Sequence, residues 1–292
     1  MTVEMTNTAF VSGVVGGGSI AAMCVTLFVS LVLPVILLVI YALKNRKQGV
    51  VKAWFLGAAG FFVTQIVVRI PLLSVLNMSE SFISFAENNY VIYAILLAFT
   101  AGLFELVGRY VVAKILSKNL SFKKGFAAGL GHGGIEAMAL IGMSYISNLL
   151  YVAMINTGAI NAVIAQTEAM GVDTSAIYTL VDTLVNTPAY MFLLGGYERL
   201  LTMIAHTAMT LIVFYFVWKK QDIKGIGICL LMHTLLDGVS AIVSGMATPY
   251  LGSVISQNVS YVIIYVYLTI VAVVAVVVIR KIKQSWREED GE

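Results

Sequence analysis

The sequence predicts an all-α, polytopic membrane protein with about seven transmembrane helices. Of its 292 residues, 60% are hydrophobic and only 11% are charged, and the mean hydropathy is +0.93. Soluble domains draw about a quarter of their residues from Asp, Glu, Lys and Arg. The charged fraction of this chain is less than half of that. It excludes a soluble globular enzyme and predicts a protein whose surface faces lipid.

Seven apolar stretches are long enough to span a bilayer, which takes about 20 residues of helix. We therefore expect residues 1–292 to form one integral membrane domain. The predicted spans are approximately residues 18–43, 51–75, 90–117, 123–153, 189–218, 224–248 and 259–280.

With these spans, nearly all basic residues lie on one side of the membrane. All of the 18 Lys and Arg residues lie in alternate loops or at the adjoining helix ends, except Arg69, Arg109 and Arg199. Basic loops stay in the cytoplasm, so we expect the N-terminus outside and the C-terminus cytoplasmic, in a bacterial plasma membrane. Since these residues are explained by topology, we expect no nucleic-acid partner.

The longest loop, residues 154–188, is predicted to be helical and to lie on the outer surface. Asp173 and Thr174 can cap a helix whose apolar residues recur with helical spacing. We favour a helical hairpin at the membrane interface over a lid. The apolar positions are Ile177, Leu180, Val181 and Leu184.

Ionisable residues occur inside the spans, where each costs at least about 2.5 kcal/mol to insert and is usually functional or paired. With a rise of about 1.5 Å per residue, Glu105 and the three histidines lie roughly 12–18 Å from the cytoplasmic helix ends, in one layer. Arg69, Glu198 and Arg199 lie higher, near the outer boundary, and we interpret them as structural. The residues of the layer are Glu105, His132, His206 and His233.

Three pairs of polar residues stand four positions apart and therefore share a helix face. In each pair, one member can orient or charge-compensate the other. Beside His132, Gly129 and Gly133 form a seam that allows another helix to approach closely. The pairs are Glu105 with Arg109, His132 with Glu136, and His233 with Asp237.

A carboxylate and imidazoles in a dry cavity are suited to activating water. Glu105 can act as a general base, either directly or on a water bound to zinc. If a metal is present, we expect His132, His206 and His233 to hold it. Without a metal, His132 and His233 would donate hydrogen bonds to the developing oxyanion. The HExxH signature of soluble metalloproteases is absent, so the sequence does not decide between the mechanism with a metal and the one without.

These motifs resemble the YhfC family, which is similar to the type II CAAX prenyl endopeptidases, the PrsW proteases and the multipass scaffold subunit of gamma-secretase. The resemblance covers most of the chain. It rests on Glu105-xxx-Arg109, on the GHGGIE run with His132 and Glu136, on GGYER followed by His206, and on His233-xxx-Asp237.

The resemblance implies a four-helix catalytic core, formed by the third to sixth spans at about residues 90–248, and a membrane-embedded or lipidated peptide as substrate. Its expected site residues are Glu105, Arg109, His132, Glu136, His206, His233 and Asp237. The alternatives are a non-catalytic scaffold, an ion-coupled or proton-coupled transporter that uses the same residues, and haem binding by two of the histidines.

Overall fold

The computed structural model describes residues 13–290, and the side chains of all but the last two of these. The twelve N-terminal residues, which we expect on the outer side of the membrane, are not among them. Within the described range, seven helices are long and apolar enough to cross a membrane, as predicted. They are α1 (Gly17–Lys44), α2 (Val50–Leu76), α4 (Tyr90–Ile115), α5 (Phe122–Thr157), α8 (Ala189–Trp218), α9 (Asp222–Gly245) and α10 (Gln257–Asp290).

Three shorter helices connect the spans: α3 (Glu80–Asn88), α6 (Ala159–Ala169) and α7 (Ser175–Asn186). The last two occupy the long loop for which a helical hairpin is predicted. Asp173 accepts hydrogen bonds from the backbone N–H and the hydroxyl of Ser175 at the start of α7. These bonds lower the pKa of the exposed Asp173 carboxyl below its usual value.

Three of the spanning helices contain a π-helical stretch, in which an extra residue is accommodated in a turn. The stretches are Phe28–Val32 in α1, Phe62–Arg69 in α2 and Ala137–Gly142 in α5. The buried Gln65 lies within the second of these stretches, and Glu136 directly precedes the third. The extra residue changes the direction in which the following side chains point.

The chain divides into two compact units, and α1, α5 and α8 contribute to both. The first unit comprises the residues up to Val32 together with Met138–Tyr197. Its apolar core includes Met23, Ile160 and Leu184. Polar bonds also link its helices, since the Thr26 and Tyr145 hydroxyls both donate to the Phe192 carbonyl.

The second unit comprises Leu33–Ala137 and the residues from Glu198 onward, and it contains every predicted site residue. Its apolar core includes Trp54, Phe214 and Cys229. The prediction of one domain over residues 1–292 stays a prediction.

Glycines allow α5 to pack closely against its neighbours in the second unit. A methyl group added to Gly129 would lie 2.7 Å from the Cα of Thr207, and one added to Gly133 would lie 3.0 Å from the Cα of Met203. Both neighbours belong to α8, so the predicted glycine seam faces the helix that carries His206. On another side of α5, a methyl group on Gly131 would lie 2.0 Å from the carbonyl oxygen of Trp54 in α2.

We expect Gly131→Ala to destabilise the protein by at least about 1–3 kcal/mol, the usual cost of overpacking a core. The clash involves backbone on both helices, so neither side can relax by a rotamer change. Thermal unfolding in nanodiscs measures the loss. Gly227→Ala is the matched control, because its added methyl group would meet nothing within 4 Å. Equal melting temperatures of the two variants would contradict this packing.

Candidate functional site

The predicted site residues come from four helices of the second unit. Helix α4 carries Glu105 and Arg109, α5 carries His132 and Glu136, α8 carries His206, and α9 carries His233 and Asp237. Six of the seven are buried; Glu105 is only 4% exposed. The exception is Asp237, whose side chain is 41% exposed.

One carboxylate oxygen is the centre of the cluster. Glu105 Oε2 lies 2.8 Å from Arg109 Nη2, 2.9 Å from His132 Nε2 and 2.8 Å from His233 Nε2. His206 Nδ1 is 3.5 Å from the same oxygen. The predicted layer of one glutamate and three histidines is therefore a single contact cluster. A carboxylate oxygen has only two lone-pair directions, so these groups cannot all donate to it at once.

His206 is held by contacts at both ring nitrogens. Arg109 Nη2 lies 2.6 Å from its Nδ1. Because arginine has only donors, Nδ1 must accept and the ring proton belongs on Nε2. His206 Nε2 lies 2.8 Å from Glu136 Oε2. Arg109 thus joins two functional groups, the carboxylate of Glu105 and the imidazole of His206.

His233 lies between two carboxylates. Its Nε2 approaches Glu105, and its Nδ1 is 3.3 Å from Asp237 Oδ2. Neither nitrogen has hydrogen-bond geometry to any group among the described residues. With Nδ1 beside Asp237, the Nε2 atom of this buried imidazole fits a role as a ligand or as a donor to a bound molecule.

His132 and Glu136 lie four residues apart on α5, as predicted. The imidazole that Glu136 contacts, however, is His206 on α8. Glu136 contacts His206 and also accepts a hydrogen bond from Arg199 Nη1 at 2.9 Å. Arg199 also pairs with the neighbouring Glu198. Glu198 and Arg199, which the sequence led us to interpret as structural, therefore form an ion pair, and Arg199 extends it to the cluster through Glu136.

Gln65 is a further residue of the cluster that was not predicted, because the candidate site residues were chosen among the ionisable side chains of the spans. This side chain is 4% exposed, and its Nε2 donates to Glu105 Oε1 at 2.9 Å and to the Ala101 carbonyl at 3.1 Å. Its own oxygen accepts from Arg69 Nη1 at 3.4 Å. A glutamine one turn before an arginine in an otherwise apolar span is the signal that could have indicated it.

The donor set fits a transition-metal ion. Glu105, His132 and His206 each offer a ligand atom, and these atoms lie within 4.8 Å of one another. Imidazole nitrogens with a carboxylate oxygen are ligands that zinc accepts, and His233 Nε2, which lies 2.8 Å from Glu105 Oε2, can add a further one. His206 fits least well, because Arg109 donates to the nitrogen that would face the ion.

Arg199 should act as a positioning residue. Substitution of such outer partners typically costs 10–100-fold in activity or metal affinity, so if the cluster catalyses the hydrolysis expected from the sequence, Arg199→Met should lose about 10–100-fold of that rate. The rate at which new peptide N-termini form in membrane vesicles measures it. Glu198→Gln is the control, since it removes only the half-exposed partner. An unchanged rate in Arg199→Met would show that the Glu136 contact does not matter.

Comparison with known proteins identifies the family. The sequence model of the YhfC intramembrane metalloprotease family matches residues 29–256. The chain is 30% identical over 215 residues to the uncharacterized membrane protein YhfC of Bacillus subtilis (strain 168), which covers 72% of this chain and 79% of that protein. No solved structure matches the sequence significantly. The chain is thus a multipass membrane protein that belongs to the YhfC intramembrane metalloprotease family.

Proposed function

We propose that this protein is an intramembrane peptidase that hydrolyses a peptide bond of a membrane-embedded or lipidated substrate with water activated by Glu105 and assisted by zinc. The observation that carries the proposal is the convergence of two imidazole Nε2 atoms and one guanidinium on Glu105 Oε2. Insertion of these polar groups into a membrane is costly, and hydrolysis uses all of them.

Glu105 is the proposed general base. Arg109 compensates its charge in a site that excludes solvent, and Gln65 fixes Oε1, so that Oε2 is the oxygen directed toward the histidines. Oε2 then accepts a proton from the attacking water and returns it to the amide nitrogen of the departing peptide. Arg109 also fixes the tautomer of His206.

The proposed zinc ligands are His132, His206 and His233; His206 would coordinate through Nδ1 once the Arg109 N–H leaves that nitrogen. When bound, zinc lowers the pKa of a coordinated water and polarises the substrate carbonyl. The Nε2 atoms of His132 and His233 can each present either a lone pair to the ion or an N–H to the carbonyl oxygen. Asp237 lies beside His233 Nδ1 and would orient that ring.

The proposal is tested by exposing bacterial membrane vesicles to the purified protein and identifying new N-termini of membrane proteins by mass spectrometry. We expect cleavage within or next to transmembrane segments. Treatment with a zinc chelator should abolish it, and added zinc should restore it. A complete lack of new N-termini, with the protein folded and zinc supplied, would leave the scaffold or the transporter as the better account.

We also propose that the N-terminus is outside and the C-terminus cytoplasmic, in a bacterial plasma membrane. The support is the asymmetry of the basic loops. Reporter fusions at the two ends test it: a cytoplasm-dependent reporter should be active at the C-terminus and inactive at the N-terminus. The reverse pattern would overturn this orientation.

A further inference from the structure

A second polar feature of the chain lies in a cavity that shares no residue with the Glu105 cluster. The cavity has a volume of about 550 Å³ and lies in the second unit, between the end of α1, the start of α5 and the end of α10. Five cationic side chains line it: Lys44, Lys123, Arg280, Lys283 and Arg287. We call it the basic cavity.

Among the side chains that the structure describes, no carboxylate compensates the charge of the basic cavity. No Asp or Glu is among its lining residues. None of the five cations pairs with a carboxylate among the side chains that the structure describes. Like charges held around one space repel each other, and an anion in that space would remove the repulsion. The cavity is therefore suited to a negatively charged ligand.

The rest of the wall combines aromatic rings with neutral polar groups and one aliphatic side chain. Phe126 lies 5.0 Å from Tyr41 and 5.8 Å from Phe122, measured between ring centroids. Trp286 is 2% exposed, and its indole N–H has no hydrogen-bond partner within the described part of the chain. Ser121, the N-cap of α5, adds the N-terminus of a long helix, where backbone N–H groups favour phosphate.

From these observations we infer that the basic cavity binds the phosphate of an anionic membrane lipid. The cations and the helix N-terminus would contact the phosphate group, and the aromatic rings would contact the apolar part of the ligand. The position at the ends of three spanning helices favours a lipid over a soluble phosphate compound, since basic pockets between transmembrane helices bind lipid headgroups. This inference does not depend on the proposed hydrolysis.

Native mass spectrometry of the detergent-purified full chain tests the inference. The probes are phosphatidylglycerol and phosphatidylcholine with identical acyl chains. We expect phosphatidylglycerol to bind at least about tenfold more tightly, and the double variant Arg280→Gln/Lys283→Gln to lose about tenfold of that affinity. The control is Lys52→Gln/Lys118→Gln, which removes the same charge from exposed sites that do not line the cavity. The control should bind like the wild type.

Three results would overturn the inference: equal binding of the two lipids, an unchanged affinity in Arg280→Gln/Lys283→Gln, or an equal loss in the control. If millimolar inorganic phosphate displaces the lipid, the natural ligand of the cavity is a soluble phosphate compound, and the inference of a lipid is wrong. If the first double variant fails to fold, Lys44→Gln/Lys123→Gln removes two other cations of the same cavity and takes its place.

Discussion

Replacing Glu105 with Gln should reduce peptide-bond hydrolysis by about 10²–10⁴-fold, the usual contribution of general acid–base catalysis. The amide has nearly the same size as the carboxylate but cannot accept a proton from water. The rate of appearance of new N-termini in membrane vesicles measures the effect. Glu87→Gln is the matched control, since Glu87 lies exposed on α3, and its rate should equal that of the wild type.

Because Glu105→Gln removes the charge that compensates Arg109, a second variant separates catalysis from folding. Glu105→Asp keeps the negative charge but withdraws the carboxylate by one methylene. A displacement of about 1 Å can cost on the order of 10²-fold in rate, so this variant should be folded and poorly active. Full activity in a folded Glu105→Gln protein would exclude Glu105 as the base.

Arg109→Met should destabilise the protein by about 3–5 kcal/mol, the usual cost of removing one member of a buried ion pair. Arg109 is 1% exposed and contacts both Glu105 and His206, so its loss leaves a buried carboxylate without its guanidinium. Thermal unfolding in nanodiscs measures the change.

The double variant Arg109→Met/Glu105→Gln should recover much of that stability, because it removes both charges. Lys114→Met is the control on the same helix: its side chain is 46% exposed and pairs with Asp222, and exposed pairs contribute only about 0–1 kcal/mol. A double variant as unstable as the sum of its parts would contradict the coupling between Glu105 and Arg109.

The spanning helices could be predicted from the sequence because lipid imposes a strong constraint on composition and length. All seven were found within a few residues at most ends. The one large difference is α10, which continues to Asp290, well past the predicted end near residue 280. Its last turns are polar, and a hydropathy criterion stops at Arg280 although the helix does not.

The centre of the candidate site could be predicted as well, since Glu105 and the three histidines are costly residues at similar depth on different helices. The individual side-chain contacts of the site could not be predicted, because the depth estimate treats every span as a straight helix. Arg199 lies about two turns from His206 along α8, roughly 10 Å away, yet its long side chain reaches Glu136. The residue types do not predict the π-helical stretch Phe62–Arg69. Gln65 lies in this stretch and donates a hydrogen bond to Glu105.

The measurement that tests the central claim most directly is elemental analysis of the purified, detergent-solubilised protein. If Glu105 and the imidazoles form one water-activating zinc centre, the wild type should hold about one zinc per chain. His132→Ala and His233→Ala should lose it, and His206→Ala should retain more, because Arg109 occupies its Nδ1. No stoichiometric metal in the folded wild type, or zinc retained in both His132→Ala and His233→Ala, would contradict the zinc-assisted account.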